Sequence, residues 1–206
     1  MQHAPEPGDH AFDTAEGAVM DTWVIETKRL GLRRLVSEDL AWVRRMPWLD
    51  PDRVIKRSLE AYEESGHAFW AVIIKSSNEF AGICGLLNQQ IEGQREQEVG
   101  YHLIEAFHGQ GLASEAARGV MEYAFDVLGL DRVVSFIEPR NLASSRVAAK
   151  NGLVYERDAI FRDIPVRVFV AGPNALRAAP GSGEPTTLDK PRLDKPRLDE
   201  PGSDRL

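Results

Sequence analysis

The sequence predicts a mixed α/β (α+β) domain, and three observations carry that prediction. Residues 69–74 and 80–87 are apolar runs rich in β-branched and aromatic side chains, joined by Ser76, Ser77 and Asn78. That is the pattern of an antiparallel hairpin. Residues 98–137 then read strand, long amphipathic helix, strand, a unit that makes two parallel neighbouring strands with a right-handed crossover. Finally, 206 residues with 43% hydrophobic and 28% charged side chains can bury one sizeable core without disulfides or metals.

A first strand is expected at 28–35, where Leu30, Leu32 and Arg34 alternate with Gly31, Arg33 and Leu35. Ser37 is placed to cap a helix that opens with Glu38 and Asp39 and carries the apolar stripe Leu40, Val43 and Met46, with Pro47 as its stop. Residues 52–65 read as a second helix, with Val54, Ile55, Leu59 and Tyr62 on one face and Gly66 at its end. After the hairpin, 88–97 reads as a polar loop and 98–104 as a strand. The strongest helix is 112–128, where Ala113, Ala116, Ala117, Val120, Ala124 and Leu128 recur at helical spacing before Gly129. A strand at 132–137 ends at Pro139, and Asn141 caps a short helix at 142–150 that Gly152 closes. Strands at 153–156 and 166–170 complete the set.

Three segments follow from charge and complexity. Residues 1–21 contain Glu6, Asp9, Asp13, Glu16 and Asp21 and no Lys or Arg, and are expected to be a disordered acidic extension. Residues 22–172 form the domain. Residues 173–206 are expected to be a disordered, proline-rich tail, because 188–202 repeats LDKPR, LDKPR, LDEPG. A solvated extension is the plainer reading of that tail and a docking tail the other.

Charge also excludes partners. Of the net −7, only −2 falls in 22–172, and no basic stripe is present, which argues against nucleic acid. No stretch approaches the ~20 apolar residues of a membrane span. The first residues lack a basic region followed by an apolar one, so no secretory signal is read there. Cys84 is the single cysteine, so no intrachain disulfide or cysteine zinc site is available, and a reducing, cytoplasmic compartment is expected. No metal site is expected.

The most informative segment is HGQGLASEA at 108–116, set between a strand and the strongest helix. Gly109 and Gly111 let backbone N–H groups approach a ligand closely, and the helix that follows adds free N–H groups and the positive end of its dipole. That combination suits a pyrophosphate. It is not the nucleotide-triphosphate loop, because no Gly-Lys-Ser/Thr follows. Nor does its glycine spacing fit the dinucleotide fingerprint. A tight turn with no ligand would explain two glycines equally well.

Four segments carry a resemblance. IETKRLGLRRLVSEDL (25–40), EVGYHLI (98–104), HGQGLASEA (108–116) and EPRNLASSRVAAKNGL (138–153) resemble the GNAT acetyltransferase superfamily, and most closely its ribosomal-protein N-terminal acetyltransferase branch. The resemblance implies the GNAT fold: a central, mostly antiparallel sheet with one splayed parallel pair, here strands 98–104 and 132–137, flanked by helices. It implies acetyl-CoA as co-substrate, an amine as acceptor, and a homodimer on family grounds alone. The backbone at His108, Gly109, Gln110, Gly111, Leu112 and Ala113 would hold the pyrophosphate, and an N–H near Leu103 or Ile104 the thioester oxygen. Asn141 would contact the coenzyme's pantetheine arm, or act only as the helix cap.

For the chemistry, Glu98 is the candidate base, similar in position to a glutamate that many relatives use. Strand alternation puts Glu98, Gly100 and His102 on one face. His102 is thus a second candidate or a relay. Ser144 matches the serine of the branch's Asn-x-x-Ser pattern and is the candidate donor to the leaving thiolate. Cys84 reads as core rather than nucleophile. Trp42, Trp48 and Trp70 read as core or as lining of the acceptor site. The sequence departs from the family where a Tyr commonly precedes the late Glu-Lys pair, since Ala148 and Ala149 stand before Lys150. Leu153 replaces the usual Phe. The function expected is transfer of an acetyl group from acetyl-CoA to a primary amine by direct attack. The alternative is a catalytically silent acyl-CoA-binding module.

Overall fold

The computed structural model describes residues 23–178 and 187–188. In chain order the elements are β1 (Ile25–Glu26), β2 (Leu30–Arg34), α1 (Leu40–Val43), α2 (Pro51–Ser65), β3 (Phe69–Ile74), β4 (Glu79–Ile91), β5 (Gln94–Leu103), α3 (Leu112–Glu122), β6 (Val133–Ile137), α4 (Leu142–Lys150), β7 (Val154–Phe161), β8 (Ile164–Ala171), α5 (Pro173–Ala178) and β9 (Thr187–Leu188). Among the described residues the strands make one sheet in the order β7-β8-β6-β5-β4-β3-β2-β1-β9. Every neighbouring pair from β1 through β8 is antiparallel except β5 and β6, which run parallel and share a single register, Glu98 with Val134. Beyond that pair the two strands part. Ser135 Oγ bridges the start of the gap by donating to the Val99 carbonyl at 2.8 Å.

Side-chain alternation gives the sheet two apolar faces. Trp70, Cys84, Leu86, Val99 and Leu103 meet Leu112, Ala116, Val120 and Met121 of α3 in the larger core. Ala71, Ile73 and Ile83 meet Val43, Met46 and Ile55 from the α1–α2 side. Burying side chains of this size contributes about 1.5–3 kcal/mol each. The small residues on α3 bring its axis close to the sheet.

Several elements differ from the expectations. Residues 37–46 start as a 3-10 turn at Ser37–Asp39 and α1 lasts one turn, with Val36, not Ser37, in the cap position. Asp39 does the capping: it accepts from the Val36 N–H at 2.9 Å and pairs with Arg33 at 2.7 Å. The helix at 112–128 is α3 followed by a π-turn at Tyr123–Val127, closed by Leu128 N–H to the Tyr123 carbonyl at 3.1 Å. The expected loop at 88–97 is the tip of a long hairpin. β4 and β5 stay paired to Ile91 and Gln94 and turn on Glu92 and Gly93, both with positive φ. β7 and β8 likewise extend to a turn on Arg162 and Asp163, at φ 51° and 64°.

The boundary at 172 also moves. Pro173 opens α5, where proline is tolerated in a first helical turn. Leu176 is buried in the larger core, and its carbonyl accepts from Arg118 Nη2 at 2.8 Å. The expected acidic extension at 1–21 and most of the expected proline-rich tail lie outside the described residues.

Candidate functional site

The glycine loop sits at the end of β5. A 3-10 turn at Glu105–Phe107 leads into His108, whose Nε2 lies 2.8 Å from the Leu103 carbonyl and ties the loop to the strand. Gly109 and Gly111 have φ of 75° and 77°, a conformation that side-chain-bearing residues avoid. A Cβ on Gly109 would meet nothing within 4 Å, so the backbone there faces open space. Gly111 occupies the cap position of α3 and supplies no side-chain acceptor. The first intrahelical bond is Glu115 N–H to the Gly111 carbonyl, so the N–H groups of Leu112 and Ala113 have no helical acceptor. The Leu112 side chain itself is core, and only its backbone faces the loop. These are the features a pyrophosphate cradle requires, and the residues fit that group.

The loop is braced from outside by groups the sequence reading missed. Glu115, in the first turn of α3, accepts from Thr27 Oγ1 at 2.7 Å, from the Arg29 N–H at 2.7 Å and from Arg29 Nε at 2.6 Å. Arg29 Nη1 also donates to the Gln110 carbonyl at 3.0 Å. These bonds hold the Glu115 carboxyl below the ordinary carboxylate range against its partial burial. Buried Asn151 donates to the Ser114 carbonyl at 3.1 Å and so joins α4 to α3.

Strand alternation sorts the backbone of β5. The Ile104 N–H is spent on the Ala81 carbonyl at 2.9 Å, toward β4. Ile104 is therefore not an open donor, a correction to its expected place beside Leu103. The Val99 and Leu103 carbonyls face the other side, where Ser135 and His108 meet them. The Leu103 N–H shares that side, facing the gap that opens before β6.

The expected catalytic set is divided by the sheet. Glu98 and His102 share the face toward α2, where they line a cleft of about 500 Å³ with Trp48, Phe69, Gly100 and Gln89. Ser144 lies on the opposite face. Its N–H is capped by Asn141 Oδ1 at 3.0 Å, its carbonyl accepts from Tyr101 Oη at 2.9 Å, and its hydroxyl has no hydrogen-bond partner among the described residues. Asn141 is thus the α4 cap that the sequence implies.

In the cleft, Gln89 Nε2 donates to Glu98 Oε2 at 2.8 Å. Burial pushes the Glu98 carboxyl above its usual range, while the Gln89 bond, the Phe136 backbone amide and the Arg162 charge pull the other way. Burial pushes His102 down to about 4, so it is neutral at pH 7. Trp48 Nε1 donates to His102 Nδ1 at 3.3 Å, which assigns the ring proton to Nε2. A ring in that tautomer offers a donor to the cleft, not a base. Of the tryptophans, Trp48 lines the cleft, Trp42 is exposed and stacks on Phe80, and Trp70 is core against Tyr123. Cys84 is fully buried, and burial raises its thiol pKa. Among the described residues no group of three or more His, Cys, Asp or Glu is placed to hold a metal ion, and no helix is long and apolar enough to cross a membrane.

Known proteins resemble this chain in sequence and in fold. The acetyltransferase (GNAT) domain family matches residues 29–154. The uncharacterized protein YkkB of Bacillus subtilis (strain 168) is 32% identical over 158 residues, covering 69% of this chain and 92% of that protein. The uncharacterized N-acetyltransferase p20 of Bacillus licheniformis is 28% identical over 154 residues, covering 66% of this chain and 84% of that protein. Among solved structures, the ribosomal-protein-S5-alanine acetyltransferase of Vibrio fischeri superposes with a TM-score of 0.57 at 20% identity, covering 71% of this chain and 94% of that one. The family match agrees with the mixed sheet and its one parallel pair. The chain belongs to the GNAT acetyltransferase family and is an N-acetyltransferase by class.

Proposed function

We propose that the protein transfers an acetyl group from acetyl-CoA to a primary amine by direct attack, with Glu98 as the general base. The observation that carries this is the place of Glu98. It marks the one register that β5 and β6 share, at the mouth of their gap, and it opens into the cleft with a raised pKa.

Acetyl-CoA supplies the thioester. The backbone of 109–113 would hold its pyrophosphate, and the Leu103 N–H, on the gap side of β5, its thioester oxygen. An acceptor amine is an ammonium at neutral pH and attacks only after losing a proton. Glu98 accepts that proton, directly or through a water, and its raised pKa narrows the mismatch with the amine. The new N–C bond forms as the C–S bond breaks, and the electron pair leaves on sulfur. Ser144, whose hydroxyl is unpaired among the described residues, is the candidate hydrogen-bond donor to that thiolate, which then takes its proton from solvent. His102 offers an Nε2–H to the acceptor.

The fold-level likeness to a ribosomal-protein acetyltransferase supports a protein N-terminus as one acceptor, and a small-molecule amine is the other class this reading includes. The single buried cysteine supports a cytoplasmic setting. The test is thiol release from acetyl-CoA with a panel of amines, beside coenzyme binding by calorimetry. Release that depends on both amine and Glu98 supports transfer. Coenzyme binding with no release from any amine would favour the silent acyl-CoA-binding module.

A further inference from the structure

The walls of the acceptor cleft are electrically uneven. Arg53 and Arg57, four residues apart, share the cleft-facing side of α2. Arg162, in the turn between β7 and β8, closes the same cleft from across. Arg162 Nη2 donates to Gln89 Oε1 at 3.2 Å, and the other end of that amide holds Glu98. Arg53 and Arg57 have no ion-pair partner among the described residues.

Four carboxylates, Asp50, Glu60, Glu64 and Glu98, line the same cleft, so its lining is mixed in sign and the three cations are gathered at one corner of it. Asp50 is occupied as the cap of α2, accepting from the Arg53 N–H at 3.1 Å. Glu60 pairs with Lys56 at 3.9 Å. Glu64 stands seven residues beyond Arg57, about 10 Å further along the axis. The cations sense one another: burial first, then the charges of Arg53 and Arg57, hold the Arg162 guanidinium below its ordinary value, with the Glu98 charge acting the other way. A corner that gathers three cations attracts the anionic end of a ligand, while Glu98 in the same cleft attracts its amine. Guanidinium groups suit the planar, two-oxygen faces of carboxylates and phosphates.

We infer that the acceptor is an amine that also carries an anionic group, a carboxylate or a phosphate, held by Arg53, Arg57 and Arg162 while its amine faces Glu98. This rests on the transfer reading above and narrows its substrate class. A polyamine is disfavoured, since it brings further positive charge to a corner that already has three.

The test compares matched amines at saturating acetyl-CoA: β-alanine with β-alaninamide, ethanolamine phosphate with ethanolamine, and putrescine. The expected result is that kcat/KM favours at least one anionic member over its neutral partner by ~10-fold or more, the scale of a charge-assisted contact. The favoured pair tells carboxylate from phosphate. The Arg53→Gln, Arg57→Gln double variant, both positions being exposed on α2, should fold and lose that preference. Equal use of neutral amines or putrescine, or a preference unchanged in the double variant, overturns the inference. If no amine is used at all, the transfer reading fails instead. The subsite is then judged by titrating inorganic phosphate into protein saturated with coenzyme A. Binding lost in the double variant supports it, and binding that is absent or equal in both proteins overturns it.

Discussion

One amide joins Glu98 to Arg162: Gln89 Nε2 donates to Glu98 Oε2 at 2.8 Å, and Gln89 Oε1 accepts from Arg162 Nη2 at 3.2 Å. The two bonds fix the orientation of the amide, because a flipped group would present oxygen to the carboxylate and NH₂ to the guanidinium. Gln89 is therefore a positioning residue that favours the charged form of Glu98. Burial raises the Glu98 pKa, and Gln89 is the foremost of the groups that oppose it.

Replacing Gln89 with Leu removes a group that stabilises the carboxylate, so the Glu98 pKa rises further. The acid limb of kcat/KM against pH should move to higher pH, with activity above the limb largely retained. A merely structural role would lower activity at every pH and leave the limb in place. An unmoved limb would refute the positioning role.

The glycine loop makes a second test. At Gly111 the space is adequate, since the nearest atom to an added Cβ is Arg29 Nη2 at 3.6 Å, but φ is 77°. A β-branched residue there is strained by about 1–2 kcal/mol or more and must rotate the amides away. Gly111→Val should fold, melt lower, and bind coenzyme A at least ~10-fold more weakly. Unchanged affinity in the folded variant would remove the loop from the coenzyme site.

At the C-terminal side, a chain ending at residue 178 should be more stable than one ending at 172, because the shorter chain loses Leu176 from the core. Leu176→Ala in the full chain should cost about 2–5 kcal/mol. Equal melting temperatures for the two truncated chains would show that α5 adds nothing.

His102 gives a pH test of stability. Its folded pKa, about 4, lies below the unfolded 6.5, so between those values the unfolded chain binds more protons. Its contribution is complete above about pH 6.5 and is lost as pH falls toward 4. Glu98, shifted upward, has the opposite sign, so the test is a difference between proteins. The destabilisation caused by His102→Gln, measured by urea unfolding, should shrink between pH 6.5 and pH 4. A constant difference would show that His102 titrates normally.

Much of the frame is visible in the sequence because its signals are local. The stripe Ala116, Ala117, Val120 declares α3, and Gly111 stands at its start. The strand–helix–strand order implies the parallel pair. What escaped depends on partners distant in sequence. Residues 88–97 read as loop because they are polar, yet Gln97 Nε2 donates to Asn88 Oδ1 at 2.7 Å across the hairpin and Gln89 bonds Glu98, so these polar groups find partners in the strand pairing, Gln97 Oε1 excepted. Residues from 173 on read as tail because of the proline repeat at 188–202, yet Pro173 stands in a first helical turn and begins α5. Arg53, Arg57 and Arg162 become a cluster only when the β7–β8 turn folds over α2. The brace from Glu115 to Thr27 and Arg29 spans more than 80 residues, and no periodicity announces it.

The central claim is that Glu98 takes the amine's proton, and Glu98→Gln tests it most directly, since it keeps the side chain's shape and removes the base. The measurement is kcat at neutral pH beside coenzyme A affinity. The account predicts a fall of ~10²–10⁴ in kcat. It also predicts little change in affinity, because the pyrophosphate loop lies at the far end of β5, and partial recovery at high pH, where the amine arrives neutral. A near-normal kcat at neutral pH would contradict the account and assign the proton to another group or to water.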